Sequence, residues 1–224
     1  MEYYSIEEIK KIEDEAIRKG MTEEKMMDAA GHLVADFIHS NIEFNKAVFI
    51  AGTGNNGGDT LSAAFHLFNL GHSGIKVVIV GKKEELKEGP RNFLYLINGI
   101  KDIPVNFTYD STELESLKET IKNADLLVVG IFGMGFHGDL PDLAEKAIDL
   151  INDSNAKKVS VDIPSGMNGD TGEFRKTVKS DFTLTMMTMK KAFQNPYCFF
   201  GCMWCGTVLL KPHIVQILFF NLWH

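Results

Sequence analysis

Short runs that are apolar at nearly every position alternate along this chain with longer stretches in which apolar residues recur every three or four positions. The runs are Ala47–Ala51, Lys76–Val80, Leu126–Ile131, Lys158–Ile163, Phe182–Met187 and Thr207–Leu210, with a weaker one at Pro104–Tyr109. Helical spacing fills the intervals at Asp59–Leu70, Pro90–Ile97, Glu113–Lys122 and Asp142–Asn152. Strands this continuously apolar are covered on both faces, and strand–helix alternation then gives a parallel sheet with helices on either side. The N-terminal pattern is different. Ser5-Ile-Glu-Glu8 is a capping box that opens a helix running to about Lys19, where Gly20 stops it. Thr22 caps a second helix, whose Met26, Met27, Ala30, Val34 and Phe37 form a packing face. The expected fold is a three-layer, Rossmann-like α/β domain, doubly wound and mostly parallel, with extra N-terminal helices. No repeat, low-complexity tract or linker is visible, so residues 1–224 read as one domain, with a core at about 5–212 and an apolar tail at 213–224.

Composition narrows the partners. A chain of 224 residues with 45% hydrophobic and 24% charged content buries a full globular core. The formal net charge of −7 lacks the basic footprint of a general nucleic-acid binder, so no nucleic-acid partner is expected, although a local basic pocket is compatible with it. The start, Met1-Glu-Tyr-Tyr-Ser-Ile-Glu-Glu8, has no basic n-region or apolar h-region and is too acidic for a transit peptide, which makes a cytoplasmic location the expectation. Ile214–Trp223 is nearly all apolar, yet about half the length that crosses a bilayer, so no membrane association is expected. A terminal strand, a buried tail and a subunit contact all suit that segment. Cys198, Cys202 and Cys205 have the C-x3-C-x2-C spacing of radical iron–sulfur enzymes, but such enzymes carry it near the start of a long barrel domain. A zinc site would need a fourth ligand, for which His213 is nearest. Three reduced thiols in a Phe- and Trp-rich segment are the simpler reading.

The chemistry-bearing stretch is 48–59, Val-Phe-Ile-Ala-Gly-Thr-Gly-Asn-Asn-Gly-Gly-Asp. Gly and Asn accept positive φ cheaply, so the segment can turn sharply and aim successive backbone N–H groups at one point. With the positive end of the following helix, these donors make an anion site suited to the phosphates of a nucleotide. Gly52-x-Gly54-x-x-Gly57 also fits the dinucleotide fingerprint. An ordinary NAD site wants an acid at the end of the second strand, whereas Gly81, Lys82 and Lys83 stand there, so a 2′-phosphate is the better match. A plain tight β–α turn is the alternative. Ligands of such sheets bind beyond the carboxyl ends of the strands, which selects three segments: 52–59, 132–140 and 162–172. The second is Phe132-Gly-Met-Gly-Phe-His-Gly-Asp-Leu140 and the third Asp162-Ile-Pro-Ser-Gly-Met-Asn-Gly-Asp-Thr-Gly172. Asp162, at the end of a buried strand, can act as acid, base or hydroxyl anchor, or simply cap its turn.

Taken together, these segments resemble the YjeF N-terminal domain family, the NAD(P)HX epimerases, from about Ser5 to Pro212. Met26–Gly31 is similar to the family's Met-x-x-Ala-Gly helix, and Asn55-Asn-Gly-Gly-Asp59 to its nucleotide segment. Phe132-Gly-x-Gly-Phe-x-Gly, Asp162-Ile-Pro-Ser-Gly166 with Asp170-Thr-Gly172, and Thr183-Leu-Thr185 with Met189-Lys-Lys-Ala192 follow in the family's order. The resemblance implies interconversion of the R and S hydroxyls at C6 of hydrated NADH and NADPH (NADHX and NADPHX). It also implies a homodimer, a potassium ion in each subunit, and a dehydratase as partner. Many relatives are fused to that dehydratase, and the short remainder of this chain makes a separate enzyme the expected one.

Carried over by position, substrate contacts fall on Asn55, Asn56, Gly57, Gly58 and Asp59, on Gly133, Met134, Gly135, Phe136, His137, Gly138 and Asp139, and on Asp162. Asp162 is the expected catalytic group. Potassium ligands fall on Asn56 and Ser165. A carboxylate at Asp59 facing a phosphate would be repelled, so it is expected to point to the helix N-terminus, a hydroxyl or the cation. Three positions depart from the family pattern. Its Val-Asp-Ala-x-Phe-Gly becomes Val128-Val-Gly-Ile-Phe-Gly133, so Val129 replaces an acid that helps hold potassium, and a weaker cation site is expected. His137 stands where a lysine is often found, and Thr60 where glycine is common. An NADP-linked oxidoreductase and a non-catalytic scaffold of the same fold are the competing readings.

Overall fold

The computed structural model describes residues 2–194 and the backbone of residues 213–217. In chain order the elements are β1 (Tyr3–Tyr4), α1 (Ile6–Arg18), α2 (Glu23–Asn41), β2 (Ala47–Ala51), α3 (Asn55–Asn69), β3 (Ile75–Val80), α4 (Glu88–Asn98) and β4 (Val105–Thr108). There follow α5 (Ser111–Ser116), α6 (Lys118–Lys122), β5 (Leu126–Gly130), α7 (Asp142–Asp153), β6 (Lys157–Val161), β7 (Phe182–Met186), β8 (Met189–Lys190) and β9 (His213–Ile217). Seven strands form one sheet in the order β4-β3-β2-β5-β6-β7-β9, and every neighbouring pair is parallel.

Alternate residues of a strand point to opposite faces, and both faces of the central strands β2, β3 and β5 are apolar. Phe49, Val77, Ile79 and Val128 pack with Val34, Ile38, Leu61, Leu67 and Ile97 of α2, α3 and α4. Val48, Ile50, Val78, Leu127 and Val129 pack with Leu114, Ile121, Ile148 and Ile151 of α5, α6 and α7. The doubly wound, three-layer expectation holds. α1 stands apart: it opens with the predicted capping box, Ser5 with Glu8, ends before Gly20 at φ +98°, and buries just Ile6 and Ile9. Among the described residues, no helix is long and apolar enough to cross a membrane.

Four differences from the expected elements have physical reasons. α3 begins at Asn55 rather than Asp59, so Asn55–Gly58 are its first turn. Glycine is a poor helix former, but a Cβ on Gly57 would sit 1.9 Å from the Gly52 carbonyl oxygen, and one on Gly58 2.3 Å from Met27 Sδ. Packing therefore overrides propensity. The helix expected at Glu113–Lys122 is broken at Leu117 into α5 and α6. β1 and β8, two residues each, pair in parallel and are too short to show a period. β9 lies in the apolar tail, pairing with β7 from Phe182–His213 to Met186–Ile217. The strand expected at Thr207–Leu210 and the three cysteines lie outside the described residues.

Candidate active site

β2, β3 and β4 step outward in one direction, and β5 then returns to the other side of β2. Where strand order reverses, the connections diverge and leave a crevice at the carboxyl ends. A cavity of about 750 Å³ opens there. It runs from Gly81 and Glu85 beyond β3, past Gly52–Asn56 and Ile131–His137, to Asp162 beyond β6 and to Met186 and Lys190 around β7 and β8. Five adjacent strands separated by about 4.8 Å each give roughly 19 Å of rim, enough for an extended dinucleotide. Ile9, Lys10 and Glu13 of α1 close the cavity from the side.

The β2–α3 turn works differently from the sequence expectation. None of Gly52, Gly54, Gly57 and Gly58 has positive φ. Glycine is needed for close approach instead: a Cβ on Gly52 would lie 2.0 Å from the Ile131 carbonyl oxygen. Gly54 is the N-cap of α3 and makes no side-chain cap bond, so the first N–H groups of α3 have no side-chain acceptor from the cap residue. Those donors and the helix dipole face the cavity at Gly54, Asn55 and Asn56. Thr60 Oγ donates to the Asn56 carbonyl at 2.9 Å. A Cβ on Gly130 would lie 2.0 Å from that hydroxyl oxygen, so Thr60 occupies room that a larger residue at 130 would need.

Ser165 fixes the second segment. Its Oγ accepts from the N–H groups of Ile131 and Phe132 at 3.1 Å each and donates to the Phe132 carbonyl at 3.2 Å. Asn56 Nδ2 donates to the same carbonyl at 2.8 Å, which joins the first, second and third segments at one oxygen. Phe132 and Phe136 stack with centroids 4.9 Å apart. Gly133, Met134, Gly135, Phe136 and His137 line the cavity, whereas Gly138 and Asp139 are exposed and outside its lining. Gly57 and Gly58 are likewise outside it, buried in the first turn of α3.

Charge gathers at the far end. Asp162 has φ +67°, a conformation that costs a non-glycine residue about 1–3 kcal/mol and persists where surroundings enforce it. Its Oδ1 accepts from the Lys190 ammonium, in a close ion pair, and from Met186 N–H at 3.2 Å. Lys190 is 1% exposed and also donates to Thr185 Oγ at 2.8 Å and the Met186 carbonyl at 3.0 Å, so all three of its protons are used. Two more carboxyls line the cavity. Burial, followed by repulsion from Asp162, pushes Glu13 up to about 7. The same causes, joined by the field of Glu13, push Asp59 well above the usual carboxylate range. That shift favours the protonated form of Asp59, which weakens its repulsion of a phosphate.

Sequence reasoning missed Glu13 and Lys190. Lys190 sits inside the Met189–Ala192 segment that carries part of the family resemblance, where a lysine between apolar neighbours was the available signal. Glu13 is one of many charges on α1, with nothing local to single it out. Lys82 and Lys83, the expected 2′-phosphate partners, are exposed and outside the cavity lining, while Glu85 and Lys87 line that end.

Fold and site define a doubly wound α/β domain with an elongated ligand crevice at its switch point and an acid–lysine pair at one end. The chain belongs to the family described as YjeF-related protein N-terminus, whose model matches residues 23–192. It is 34% identical over 179 residues to a bifunctional NAD(P)H-hydrate repair enzyme of Methanothermobacter thermautotrophicus, covering 76% of this chain and 33% of that protein. It is also 34% identical over 181 residues to an NAD(P)H-hydrate epimerase of Plasmodium knowlesi, covering 79% of this chain and 59% of that protein. The chain thus spans about a third to three-fifths of the length of these relatives. The crystal structure of yeast ynu0, YNL200c, superposes with a TM-score of 0.75 at 25% identity, covering 87% of this chain and 84% of that one.

Proposed function

We propose that this domain epimerises the C6 hydroxyl of hydrated NADH and NADPH, with the nicotinamide ring at Asp162 and the pyrophosphate at the N-terminus of α3. The observation that carries this reading is that the Asp162–Lys190 pair and the Asn55–Asp59 turn share one cavity of dinucleotide length. The family membership and the names of the two relatives support it. With the ring at the β6–β8 end and the phosphates at the switch point, the adenosine extends toward Glu85 and Lys87. The free N–H groups of α3 bind the pyrophosphate, and the apolar wall of Ile131 and Phe132 limits water around the ring. Asp162, fixed by Lys190 and Met186 N–H, holds the C6 hydroxyl or takes its proton.

A monovalent cation fits the neutral oxygens beside the Phe132 carbonyl. Asn56 Oδ1 is a buried acceptor with no hydrogen-bond partner, and Ser165 Oγ is bonded to the carbonyl that Asn56 Nδ2 also contacts. Val129 is fully buried among apolar side chains and brings no charge. Potassium held by Asn56 Oδ1 would supply positive charge near the phosphates, but weakly. The expected second ligand, Ser165 Oγ, already spends both lone pairs on the Ile131 and Phe132 N–H groups. Replacing KCl by NaCl is therefore expected to change the rate little. A strict potassium requirement would contradict a site without a carboxylate. A homodimer and a dehydratase as pathway partner are part of this proposal, on the family resemblance and the bifunctional relative's name.

The direct test is NMR or chromatography of an R/S mixture of hydrated NADPH with and without the protein. Faster equilibration that is lost in Asp162→Ala is the expected result. No acceleration by the wild-type chain would remove the epimerase reading.

A further inference from the structure

We propose that Glu13, brought into the cavity by α1, is the proton donor to the departing C6 oxygen, with Asp162 as the proton acceptor; this rests on the epimerase reading above. Glu13 lies four residues beyond Ile9, which is 1% exposed, so both stand on the inward face of α1. Three ties hold that face over the cavity. Tyr4 pairs with Lys190 in the β1–β8 ladder, Ile6 N–H donates to Asp170 Oδ1 at 2.8 Å, and Lys191 Nζ lies 3.3 Å from Glu8 Oε2. The strand pair that positions Lys190 therefore anchors the helix that carries Glu13. Glu13 also lies outside the segment matched by the family model, residues 23–192.

The charged groups around Glu13 assign the proton. Asp162 beyond β6, Asp59 on α3, Glu23 on α2 and Asp14 on α1 bear on the cavity or on Glu13 as acids, while Lys190 of β8 is the cation in its field and Lys10 of α1 lines the cavity. Lys190 spends its three protons on Asp162, Thr185 and Met186. Asp162 is thereby the paired carboxylate, and Glu13, half-buried in a net acidic setting and pushed up to about 7, is the group with a proton to give near neutral pH. An ion-paired carboxylate and a second carboxyl pushed up to about 7 in the same cavity supply the acceptor and donor that acid–base work requires.

The step balances without a co-reactant. The C6–O pair leaves with oxygen, which takes the Glu13 proton and departs as water while the N1 lone pair closes a C6=N1 bond. Water adds to the opposite face, its proton passes to Asp162, and the C=N pair returns to N1. Solvent relays the proton from Asp162 back to Glu13. Nothing is oxidised or reduced.

The test is kcat and KM for R/S equilibration as a function of pH, for wild type, Glu13→Gln and Glu13→Asp, with melting temperatures as a check on folding. Wild-type kcat is expected to fall as pH rises through about 7, where Glu13 loses its proton. Glu13→Gln should lower kcat by about 100-fold or more, leave KM little changed and abolish that limb. Glu13→Asp should restore part of the rate with a displaced limb. A Glu13→Gln enzyme with wild-type kcat, or one that is slow but keeps the limb, overturns the proposal. If Glu13→Gln does not fold, Glu13→Asp decides, because an undisplaced limb is equally fatal. A wild-type chain that does not equilibrate the mixture at all removes the epimerase reading instead, a distinct outcome.

Discussion

At the β2–α3 turn the cavity wall is backbone, with glycine carbonyls and N–H groups packed against one another, whereas toward the β6–β8 end it is a cluster of charged side chains drawn from α1, α3, β8 and the residue that follows β6. The first region is shaped by volume: adding one carbon at Gly52 or Gly57 meets backbone oxygen at 2.0 or 1.9 Å. The second is governed by charge, since burial and the field of Asp162 raise Glu13 and Asp59, and Lys190 opposes that rise. On the proposed function, a site that holds a charged dinucleotide and also moves a proton separates the two tasks. Fixed dipoles at the switch point carry no proton and do not change with pH, which leaves the titrating groups free to respond at the other end.

Breaking the charged end should have the largest effect. Lys190→Met leaves Asp162 buried without its cation, with an expected loss of about 3–5 kcal/mol in urea denaturation. Adding Asp162→Asn should recover most of that loss, and a double variant as unstable as the single one would show that Lys190 acts through packing alone. Next comes Gly57→Ala at the backbone end, expected to cost about 1–3 kcal/mol or more, because the new methyl meets a carbonyl that is itself fixed. A Gly57→Ala chain with wild-type stability would mean the turn is softer than its contacts indicate.

The pH dependence of stability separates the regions further. A carboxyl whose folded value is raised holds a proton that the unfolded chain releases, so stability falls as pH rises from the ordinary value toward the raised one. For Glu13 that window runs from 4.5 to about 7, and above it the loss is complete. Glu13→Gln and Asp59→Asn should therefore raise the melting temperature more at pH 8 than at pH 4, and equal shifts at both would show that burial leaves these carboxyls unperturbed. The smallest expected stability change is that of Gly54→Ala, under about 1 kcal/mol, because it adds a methyl into open space at an N-cap. That methyl points into the cradle region, so nucleotide binding should weaken while stability holds, and unchanged binding would move the phosphate elsewhere.

The same contrast explains what could be read from the residues. The sheet was legible because β2, β3 and β5 are apolar on both faces and bounded by helical periods, while β6 and β7 are apolar on one face and carry Ser160, Thr183 and Thr185 on the other. The cradle was legible because close backbone approach demands glycine at fixed spacing, although the reason proved to be contact rather than positive φ. The charged end was legible only at Asp162, which a local turn motif marks. Glu13 and Lys190 are far from it in sequence, and their role exists only once the β1–β8 ladder has formed. Two-residue strands carry no period, so that ladder leaves no trace in the pattern of apolar positions.

The tie between Tyr4 and Lys190 has a practical corollary for anyone shortening this chain. A fragment cut at the family match, from residue 23 to 192, would keep the described strands β2 to β8 but discard the ceiling of the crevice and its inward acid. Such a fragment should still grip phosphate while failing to turn it over, a split that would look like a dead enzyme and would in fact be an unroofed one.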